Sequence, residues 1–439
     1  MRSILFSSLL LVGCVAPEPA DAPPEDRTPV VIDQGDCAAV WGDVPAEGRI
    51  FVDAINGDHH GTGTIDDPLD SVRDGVIAAR LAGIKSVAVA PGEYEDSVWL
   101  DSTITGWEND AGLEITGCGV GVTIINATIE YEEDPNGGWL EYVQPIFDIG
   151  GIGTDGVVVR DLTGVGGRRA VRVRSGAGAT DPVRFERVTL EDSLRLGVLI
   201  DGVTTVANLE EVHVDGVVVE DGVGTGIAIQ TGAWVTDDIP APTTLDASSV
   251  EGASGVGILA EGGWNTLTDV TVANTASIDG QLGRGIQIQS RTQADLSQVT
   301  STGNADAALF LHMPGRNGIG ISISDSVLGD TVGADVMQTG EVAAEGLSVT
   351  NGGDPSTTSE MVTMSGTALS GNARADVLVD GASVDFGEGN TFGQDGDYGV
   401  VVQGNGVAQG GGGSLPVTEL GSADSLGLIH DAIALDGLD

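Results

Sequence analysis

A seven-residue phrase constrains the fold of this chain more than any other feature of its sequence. Its clearest copy, Gly226 to Gly232, reads Gly-Ile-Ala-Ile-Gln-Thr-Gly, with apolar residues in alternation before a polar residue and a turn. Close copies begin at Gly197, Gly257 and Gly285. Looser copies lie at Ala308 to Gly315, Asp335 to Gly340, Asp376 to Gly381 and Gly399 to Gly404. A phrase that returns at a similar spacing is typical of a solenoid, in which each copy belongs to one turn of a coil.

The spacing of the copies predicts parallel strands stacked in rungs. The first apolar residues of successive phrases are 23 to 31 residues apart, at Val171, Val198, Ile227, Ile258, Ile286, Leu309 and Val336. Alternation with period 2 points Val, Ile and Leu inward, and we expect the glycines to form the tight corners. The prediction is an all-β solenoid of roughly nine to twelve rungs, about 4.8 Å apart.

One interval does not fit this spacing. Val336 and Val377 are 41 residues apart, which predicts an irregular rung or an inserted loop between them. A leucine-rich solenoid or a propeller is the alternative fold, but the chain lacks leucine at fixed positions and has no repeated Trp-Asp signature.

The segment before the repeats predicts a cap on the first rung. Arg49 to Val52 has the pattern of a strand, and Ser71 followed by Asp74 is a capping box at the start of a helix. Gly83 is a suitable helix end, and Val87 to Ala90 predicts the next strand. The apolar face of this helix consists of Leu69, Val72, Val76 and Ala79.

Three strings in this segment carry a resemblance to a known family. They are Ile-Phe-Val-Asp-Ala-Ile-Asn-Gly from Ile50, Asp-Pro-Leu-Asp-Ser-Val-Arg-Asp-Gly-Val from Asp67, and Val-Ala-Val-Ala-Pro-Gly-Glu-Tyr ending at Tyr94. Together with the repeated phrase they resemble the pectin lyase-like superfamily of right-handed parallel β-helices. The resemblance implies a short N-terminal helix that caps the coil, and a Pro-Gly-x-Tyr turn that ends the first rung.

The N-terminus has the layout of a secretory signal peptide, with Arg2 before an apolar run from Ile4 to Val12. Its end, Leu11-Val12-Gly13-Cys14, resembles a bacterial lipobox, which implies lipid modification of Cys14. An ordinary signal peptide with an incidental cysteine is the alternative. We therefore expect a lipid-anchored protein of the bacterial cell envelope, at the outer membrane or the cell surface.

These features predict four segments. Residues 1–14 are the signal peptide, and residues 15–36 are a tether rich in proline, alanine and acidic residues. Residues 37–404 form the β-helix with its cap, and residues 405–439 are a glycine-rich segment followed by a C-terminal cap or tail.

The remaining cysteines, Cys37 and Cys118, both fall near the predicted N-terminal cap. An exported protein permits a disulfide between them, and two separate buried thiols are the alternative.

The histidines show no metal-binding spacing, so we expect neither a metal nor another cofactor. One loop, His59-His60 with Asp53, Asp58, Asp66 and Asp67, has oxygen ligands that suit calcium. A solvated loop without an ion is the alternative.

The charge balance excludes two classes of partner. With 66 acidic and 18 basic residues, the chain has a formal charge of -48. Nucleic acid and anionic membrane surfaces are therefore not expected as partners, and membrane contact is expected through the lipid anchor alone. We expect a monomer.

Aligning the phrases stacks their outward residues into two columns on one face that we expect to be exposed. The last column is Arg174, Asp201, Gln230, Glu261, Gln289, His312, Asp380 and Gln403, and the preceding one includes Arg172 and Gln287. Polar groups of this kind suit the hydroxyls of an extended sugar chain. The predicted ligand-binding residues are Arg172, Arg174, Asp201, Gln230, Glu261, Gln287, Gln289 and His312. The alternative is that these residues are polar because they face water.

Eight of the seventeen arginines fall between residues 160 and 195: Arg160, Arg168, Arg169, Arg172, Arg174, Arg184, Arg187 and Arg195. Guanidinium groups bind carboxylates and sulfates, so this group predicts a grip on an anionic polysaccharide. The alternative is pairing within the chain, with Asp161, Glu186, Glu191 and Asp192.

Catalytic motifs of the known β-helix enzymes are missing. The polygalacturonase strings Asn-Thr-Asp, Gly-His-Gly and Arg-Ile-Lys do not occur, and neither do the pectate lyase strings. Gly92 to Asp96 matches the start of a pectin methylesterase motif without its later Gln-Asp-Thr-Leu part. We therefore expect a non-enzymatic surface lipoprotein that binds polysaccharide or another envelope component. The alternatives are a lyase, epimerase or hydrolase of an acidic glycan, using Arg172, Arg174, Asp201, Glu261 and His312, and a purely structural protein.

Overall fold

The computed structural model describes residues 48–101, 110–133, 139–174, 176–202, 204–217, 223–231, 242–278, 282–290, 292–312, 320–336, 341–351, 361–393, 396–411 and 415–420. The signal peptide with Cys14, the tether at 15–36 and Cys37 lie outside these residues. No helix in the described part is long and apolar enough to cross a membrane.

The chain is coiled into rungs that stack in parallel. In each regular rung it passes through a 21-stranded sheet, here called sheet 1, and then through a 12-stranded sheet, sheet 2. Strands of successive rungs pair in parallel in both sheets. The predicted fold, a right-handed parallel β-helix, is confirmed.

In chain order the strands of the first five rungs are β1 (Ile50–Val52), β2 (Ser86–Val89), β3 (Gly92–Glu95), β4 (Val98–Asp101), β5 (Glu114–Thr116), β6 (Thr123–Asn126), β7 (Ile129–Glu133), β8 (Trp139–Val143), β9 (Phe147–Gly150), β10 (Val158–Val165), β11 (Arg169–Arg174), β12 (Val183–Ser193), β13 (Leu196–Asp201), β14 (Ala207–Val217) and β15 (Gly224–Gln230). The next are β16 (Thr243–Asp246), β17 (Ser249–Ala253), β18 (Gly255–Glu261), β19 (Trp264–Thr268), β20 (Thr271–Ala273), β21 (Arg284–Gln289), β22 (Gln293–Ser297), β23 (Thr300–Thr302), β24 (Ala307–His312), β25 (Ile321–Ser324), β26 (Val327–Gly329), β27 (Ala334–Val336) and β28 (Glu341–Ala343). The last are β29 (Glu345–Thr350), β30 (Met361–Ser365), β31 (Ala368–Ser370), β32 (Ala375–Asp380), β33 (Ser383–Phe386), β34 (Thr391–Phe392), β35 (Tyr398–Gln403), β36 (Val407–Gly410) and β37 (Val417–Glu419).

Sheet 2 consists of β4, β9, β11, β13, β15, β18, β21, β24, β29, β32, β35 and β37. Two antiparallel hairpins, β7–β8 and β27–β28, belong to neither sheet, and every other strand belongs to sheet 1. A 3-10 turn spans Ile152–Thr154.

The first rung is capped by the helix α1 (Val72–Ala82), as predicted. The Ser71 hydroxyl accepts a hydrogen bond from Asp74 N at 3.2 Å, and Gly83 ends the helix in the left-handed region at φ 68°. The buried side chains of α1 pack against the apolar core at β1 and β2. Local capping signals and one apolar face are therefore enough to place this helix.

The glycine that opens each phrase does not form a corner, which corrects the prediction. Gly197, Gly226 and Gly257 lie inside strands of sheet 2. Each faces a valine of sheet 1 so closely that a Cβ would come within 2.5 Å of it. The glycines that close the phrases, such as Gly202 and Gly262, do have positive φ and turn the chain.

The corner between the two strand segments of sheet 1 uses other residue types. Its left-handed position is stacked from rung to rung and is occupied by Asp161, Arg187, Glu211, Ala247, Asp269, Gln298 and Asp325. The positions of the glycines in the sequence therefore do not locate these corners.

The rung after Leu309 corrects a second prediction. Leu309 pairs with Leu347, and Leu347 pairs with Val377, so Leu347 is the core residue of that rung. Val336 instead belongs to the hairpin β27–β28, whose local alternation imitates a rung. The hairpin is thus inserted between Leu309 and Leu347, whereas Leu347 and Val377 are 30 residues apart, which is a regular spacing. Strands β36 and β37 continue the coil beyond residue 404.

Cys118 forms a disulfide, and its partner lies outside the described residues. The pairing with Cys37 therefore stays a prediction.

Candidate functional site

The two predicted columns lie side by side on the outer face of sheet 2. Arg174 aligns with Asp201, Gln230 and Glu261 on successive strands, and the column continues through Gln289, His312, Thr350, Asp380 and Gln403. The preceding column runs through Arg172, Leu199, Ala228, Leu259, Gln287, Phe310 and Ser348. Register is set by the repeat, so the alignment predicted from the phrases holds.

The expectation that this whole face is exposed is wrong. Leu199, Ala228, Leu259, Gln287 and Phe310 are at most 1% exposed, although they point away from the core of the coil. Polarity here is therefore not a simple response to water, because Gln287 is polar and fully buried. The more accessible part and the buried part of the face differ in chemistry.

The more accessible part lies at the N-terminal end of sheet 2, and we call it the platform. It comprises the exposed Trp99, the half-buried Arg172, Arg174, Asp201, Gln230 and Glu261, and the buried Asp101 and Asp148 beneath Arg174. Its centre is Arg174, whose Nε donates to Asp148 Oδ1 at 2.8 Å and whose Nη2 donates to Asp101 Oδ2 at 2.9 Å.

Gly150 makes this bridge between Arg174 and Asp101 possible. It lies between them in the same column, and the Arg174 guanidinium covers it so closely that a Cβ would meet Nη1 at 3.2 Å. Burial lowers the pKa of Arg174, but the charges and hydrogen bonds of Asp148 and Asp101 outweigh it, so the pKa lies above its usual value. The three groups are thus held as a fixed charged unit.

Trp99 lies beside this unit and was missed in the sequence. It aligns with Asp148, which aligns with Arg172, and it is 42% exposed. The alternation in Val98-Trp-Leu-Asp could have placed Trp99 and Asp101 outward, but this stretch precedes the first clear phrase.

The rest of the platform is half-buried and more loosely held. Arg172 Nη2 lies 3.8 Å from Asp201 Oδ2, and Glu261 accepts a hydrogen bond from the Ser290 hydroxyl at 2.8 Å. Gln230 lies between Asp201 and Glu261 in the column.

The buried part follows along the coil, and we call it the polar cluster. It comprises Arg284, Gln287, Gln289, Asp306, Phe310, Glu345, Ser348 and Arg374, all buried, with the half-buried His312 at its edge. Arg284 Nη1 donates to Gln287 Oε1, and Gln287 Nε2 donates to Gln289 Oε1, both at 2.6 Å. Arg284 also lies over the Phe310 ring at 4.1 Å from its centroid.

Charges in the polar cluster are arranged in two pairs. Arg284 pairs with Asp306 at 3.2 Å, and Arg374 pairs with Glu345. Glu345 N donates to Asp306 O at 3.2 Å, so the two acids lie on adjacent rungs. Arg284 lies on the rung before Asp306, and Arg374 lies on the rung after Glu345. Asp306, Glu345 and Arg374 were missed because they precede the alternating part of their phrases.

Most of the arginine group is paired within the chain, but of the partners foreseen from the sequence only Asp161 and Glu186 form ion pairs among the described residues. Arg160 pairs with Glu114, Arg187 with Asp161 at 2.6 Å, and Arg184 with Asp181 at 3.2 Å. Glu186 lies 3.9 Å from both Arg160 and Arg187. Arg172 and Arg174 face Asp101, Asp148 and Asp201, so the platform arginines add no net positive charge.

The acidic loop does not gather the predicted calcium ligands. Asp53 accepts hydrogen bonds from Ile55 N and from Asn56, and Asp67 accepts from Thr62, so both carboxylates close their own turns. Within the described residues a different group, His59, Asp70 and Asp74, brings its ligand atoms within 4.8 Å of one another.

Comparison with known proteins gives likenesses of structure alone. No protein-family model and no curated protein matches the chain. The A-module of an Azotobacter vinelandii mannuronan C-5 epimerase is 14% identical with a TM-score of 0.43, over 84% of this chain and 98% of the module. The chain is a right-handed parallel β-helix protein.

Two further solved structures are similar at the same level. The catalytic unit of a Streptomyces thermodiastaticus GH87 alpha-1,3-glucanase is 13% identical with a TM-score of 0.42, over 81% of this chain. This β-helix chain spans only 66% of that unit. A pectate lyase is 10% identical with a TM-score of 0.36, over 85% of this chain and 81% of the lyase.

Proposed function

We propose that this β-helix protein binds a neutral polysaccharide on the platform of sheet 2, without cleaving it, as a lipoprotein of the bacterial cell envelope. The observation that carries the proposal is the exposed Trp99 beside the fixed unit of Arg174, Asp101 and Asp148. An indole ring packs against the C–H face of a sugar ring, and charged groups held in place hydrogen-bond its hydroxyls.

The arrangement of the platform suits an extended ligand. Polar side chains repeat at each strand, and neighbouring strands are about 4.8 Å apart. A glycan that lies along the coil axis would therefore meet Trp99 first and then Arg172, Asp201, Gln230 and Glu261. The carboxylates of the platform accept hydrogen bonds, its guanidinium groups donate them, and the amide of Gln230 does both, as sugar hydroxyls require.

The charge of the platform favours a neutral ligand over an acidic one. Asp101, Asp148 and Asp201 face Arg172 and Arg174, and together with Glu261 they leave the platform with a formal net charge of -2. The whole chain has a charge of -48, so a polyanion would be repelled on approach.

The platform is built for binding rather than for acid–base catalysis. Glycoside hydrolysis needs one carboxylic acid that stays protonated near neutral pH and a second carboxylate across the bond. Arg174 pairs with Asp101 and Asp148, Arg172 lies 3.8 Å from Asp201, and Glu261 accepts a hydrogen bond from Ser290. Each of these four carboxylates thus already has a partner within the chain, which suits a binding surface.

The polar cluster is the observation that favours the alternative of a glycan-processing enzyme. Asp306 and Glu345 are two buried acids on adjacent rungs, with His312 nearby in the same sheet. Incubation of the protein with neutral glycans, pectate and alginate tests this directly. New reducing ends, unsaturated products or changed uronate composition would replace the binding proposal with the enzymatic one.

Binding is tested by titration calorimetry with soluble β-glucan, glucomannan and xylan. We expect Trp99→Ala to weaken binding at least about tenfold, because a truncated aromatic anchor typically costs more than 1.4 kcal/mol. Trp264→Ala is the matched control, since Trp264 lies on sheet 1 and bonds to Asp295. Equal affinity of wild type and Trp99→Ala would refute the platform, and no binding to any glycan would favour a purely structural role.

The envelope location is proposed from the lipobox that ends at Cys14. Metabolic labelling with a palmitate analogue is expected to mark the wild type and not Cys14→Ala. Equal labelling of both would contradict the lipoprotein proposal without affecting the glycan site.

A further inference from the structure

Arg168 and Arg195 differ from the other arginines of their group. Arg168 lies immediately before β11, and Arg195 lies immediately before β13. The two residues therefore occupy equivalent positions at one corner of the coil. Leu194 N donates to Gly167 O at 2.9 Å, and Leu196 N donates to Arg168 O at 3.1 Å. These hydrogen bonds place the two arginines on adjacent rungs, one above the other.

No acidic side chain of the described residues forms an ion pair with either guanidinium, whereas Arg160, Arg174, Arg184 and Arg187 all have such partners. Burial lowers the pKa of Arg195 below its usual value, and the charge of Arg168 lowers it further. Two positive charges therefore lie on adjacent rungs without an acidic partner among the described residues, although the chain has 66 acidic residues. Pairing among the described residues does not explain this corner.

One atom of the pair is also unsatisfied. The Nε of Arg195 is buried and has no hydrogen-bond partner in the described structure. A buried N–H without an acceptor costs free energy, because it has lost its hydrogen bonds to water. The exposed guanidinium of Arg168 does not have this cost, since water hydrates it and salt screens its charge. Among the described residues the corner thus has two guanidinium groups and no acceptor for this N–H.

We infer that Arg168 and Arg195 form a binding site for an oxyanion, namely the carboxylate, sulfate or phosphate group of a ligand. Planar guanidinium groups bind such groups through paired N–H donors, and Arg168 and Arg195 supply two of these groups on adjacent rungs. The site lies at the start of the strands whose later residues, Arg172 and Arg174, belong to the platform. It does not require the platform to bind a glycan, because a free oxyanion is enough to test it.

The test is thermal unfolding in sodium sulfate, sodium phosphate or sodium glucuronate, with sodium chloride added to keep the ionic strength constant. We expect at least one oxyanion to raise the Tm of the wild type, because a ligand that binds only the folded state stabilises it. The gain should fall in Arg195→Gln and disappear in the double variant Arg168→Gln plus Arg195→Gln. The oxyanion that gives the largest gain identifies the preferred group.

Arg184→Gln is the control for loss of one positive charge, since Arg184 forms an exposed pair with Asp181. It should keep the full gain. Sulfate also stabilises proteins without binding a site, and such an effect would raise the Tm of wild type and double variant equally. An equal gain in both, or no gain with any of the three anions, would overturn the inference. Calorimetric titration of the same variants at fixed temperature keeps the test valid if a variant is less stable.

Discussion

Gly226 and Val250 approach each other so closely that a Cβ at position 226 would lie 2.2 Å from Val250 Cγ1. The same approach recurs between Gly197 and Val214 at 2.5 Å on a neighbouring rung. The most regular feature of the repeated phrase, its opening glycine, therefore reflects the narrow gap between sheet 2 and sheet 1.

Replacement of Gly226 by alanine should destabilise the coil. The added methyl group must displace Val250 or the backbone, and overpacking of this kind costs about 1–3 kcal/mol. Urea unfolding should show a lower midpoint for Gly226→Ala. Gly320→Ala is the matched control, because nothing lies within 4 Å of a Cβ there. Equal midpoints for Gly226→Ala and wild type would show that the gap can widen freely.

The Arg174 bridge should not tolerate lysine. A single ammonium group cannot reproduce two separate N–H donors to Asp101 and Asp148, so Arg174→Lys should lose about 1.5–3 kcal/mol of unfolding free energy. Arg187→Lys is the control, because Arg187 also donates two hydrogen bonds, both to Asp161, but its side chain is 41% exposed. An exposed pair contributes little to stability, so this variant should lose less. A midpoint for Arg174→Lys as high as that of the control would argue against a fixed unit on the platform.

Removal of one partner from the buried pair of Glu345 and Arg374 should be more costly. Arg374→Met leaves the Glu345 carboxylate buried beside Asp306, and breaking such a pair costs about 3–5 kcal/mol. Restoring charge balance with Glu345→Gln in the same chain should recover part of the loss. Denaturant titration of both variants measures this, and a double variant less stable than Arg374→Met would contradict the charge argument.

Tyr94 should make the protein sensitive to alkali. Its hydroxyl donates to Ala90 O at 3.0 Å, and burial raises its pKa well above the usual 10.0. Above about pH 10 the unfolded chain ionises this tyrosine while the folded chain does not, so the wild type loses stability as pH rises.

The variant Tyr94→Phe lacks this titration. We expect the stability difference between wild type and variant to shrink by about 1.4 kcal/mol from pH ~9 to pH ~11. Thermal melts of both proteins across this range measure it. A constant difference would mean that the Tyr94 pKa is not raised.

Several features of the site were accessible from the sequence, and others were not. The column of Arg174, Asp201, Gln230 and Glu261 followed from counting along clear phrases, since each phrase fixes which residues face outward. Trp99 was missed because its strand lies before the first clear copy. Val336 was assigned wrongly because a local hairpin has the same period-2 alternation as a rung.

Burial of the outer face was also inaccessible. Gln287 and Gln289 have the polarity of exposed residues, yet they are buried in a hydrogen-bonded chain with Arg284. A repeat predicts which way a side chain points, but it carries no information on how much of that side chain solvent reaches.

The sequence by itself determined the parallel coil, the inward and outward sets of residues, and the capping helix. These depend on short-range periodicity and on capping residues a few positions apart, which act in any chain of this pattern. Only the tertiary structure decided that Arg174 binds Asp148 and Asp101, which are 26 and 73 residues away. It likewise placed Arg168 and Arg195 at equivalent positions on adjacent rungs, with no ion-pair partner among the described residues. Such contacts arise between rungs, where loops of variable length separate the partners and only the stacked register brings the charges together.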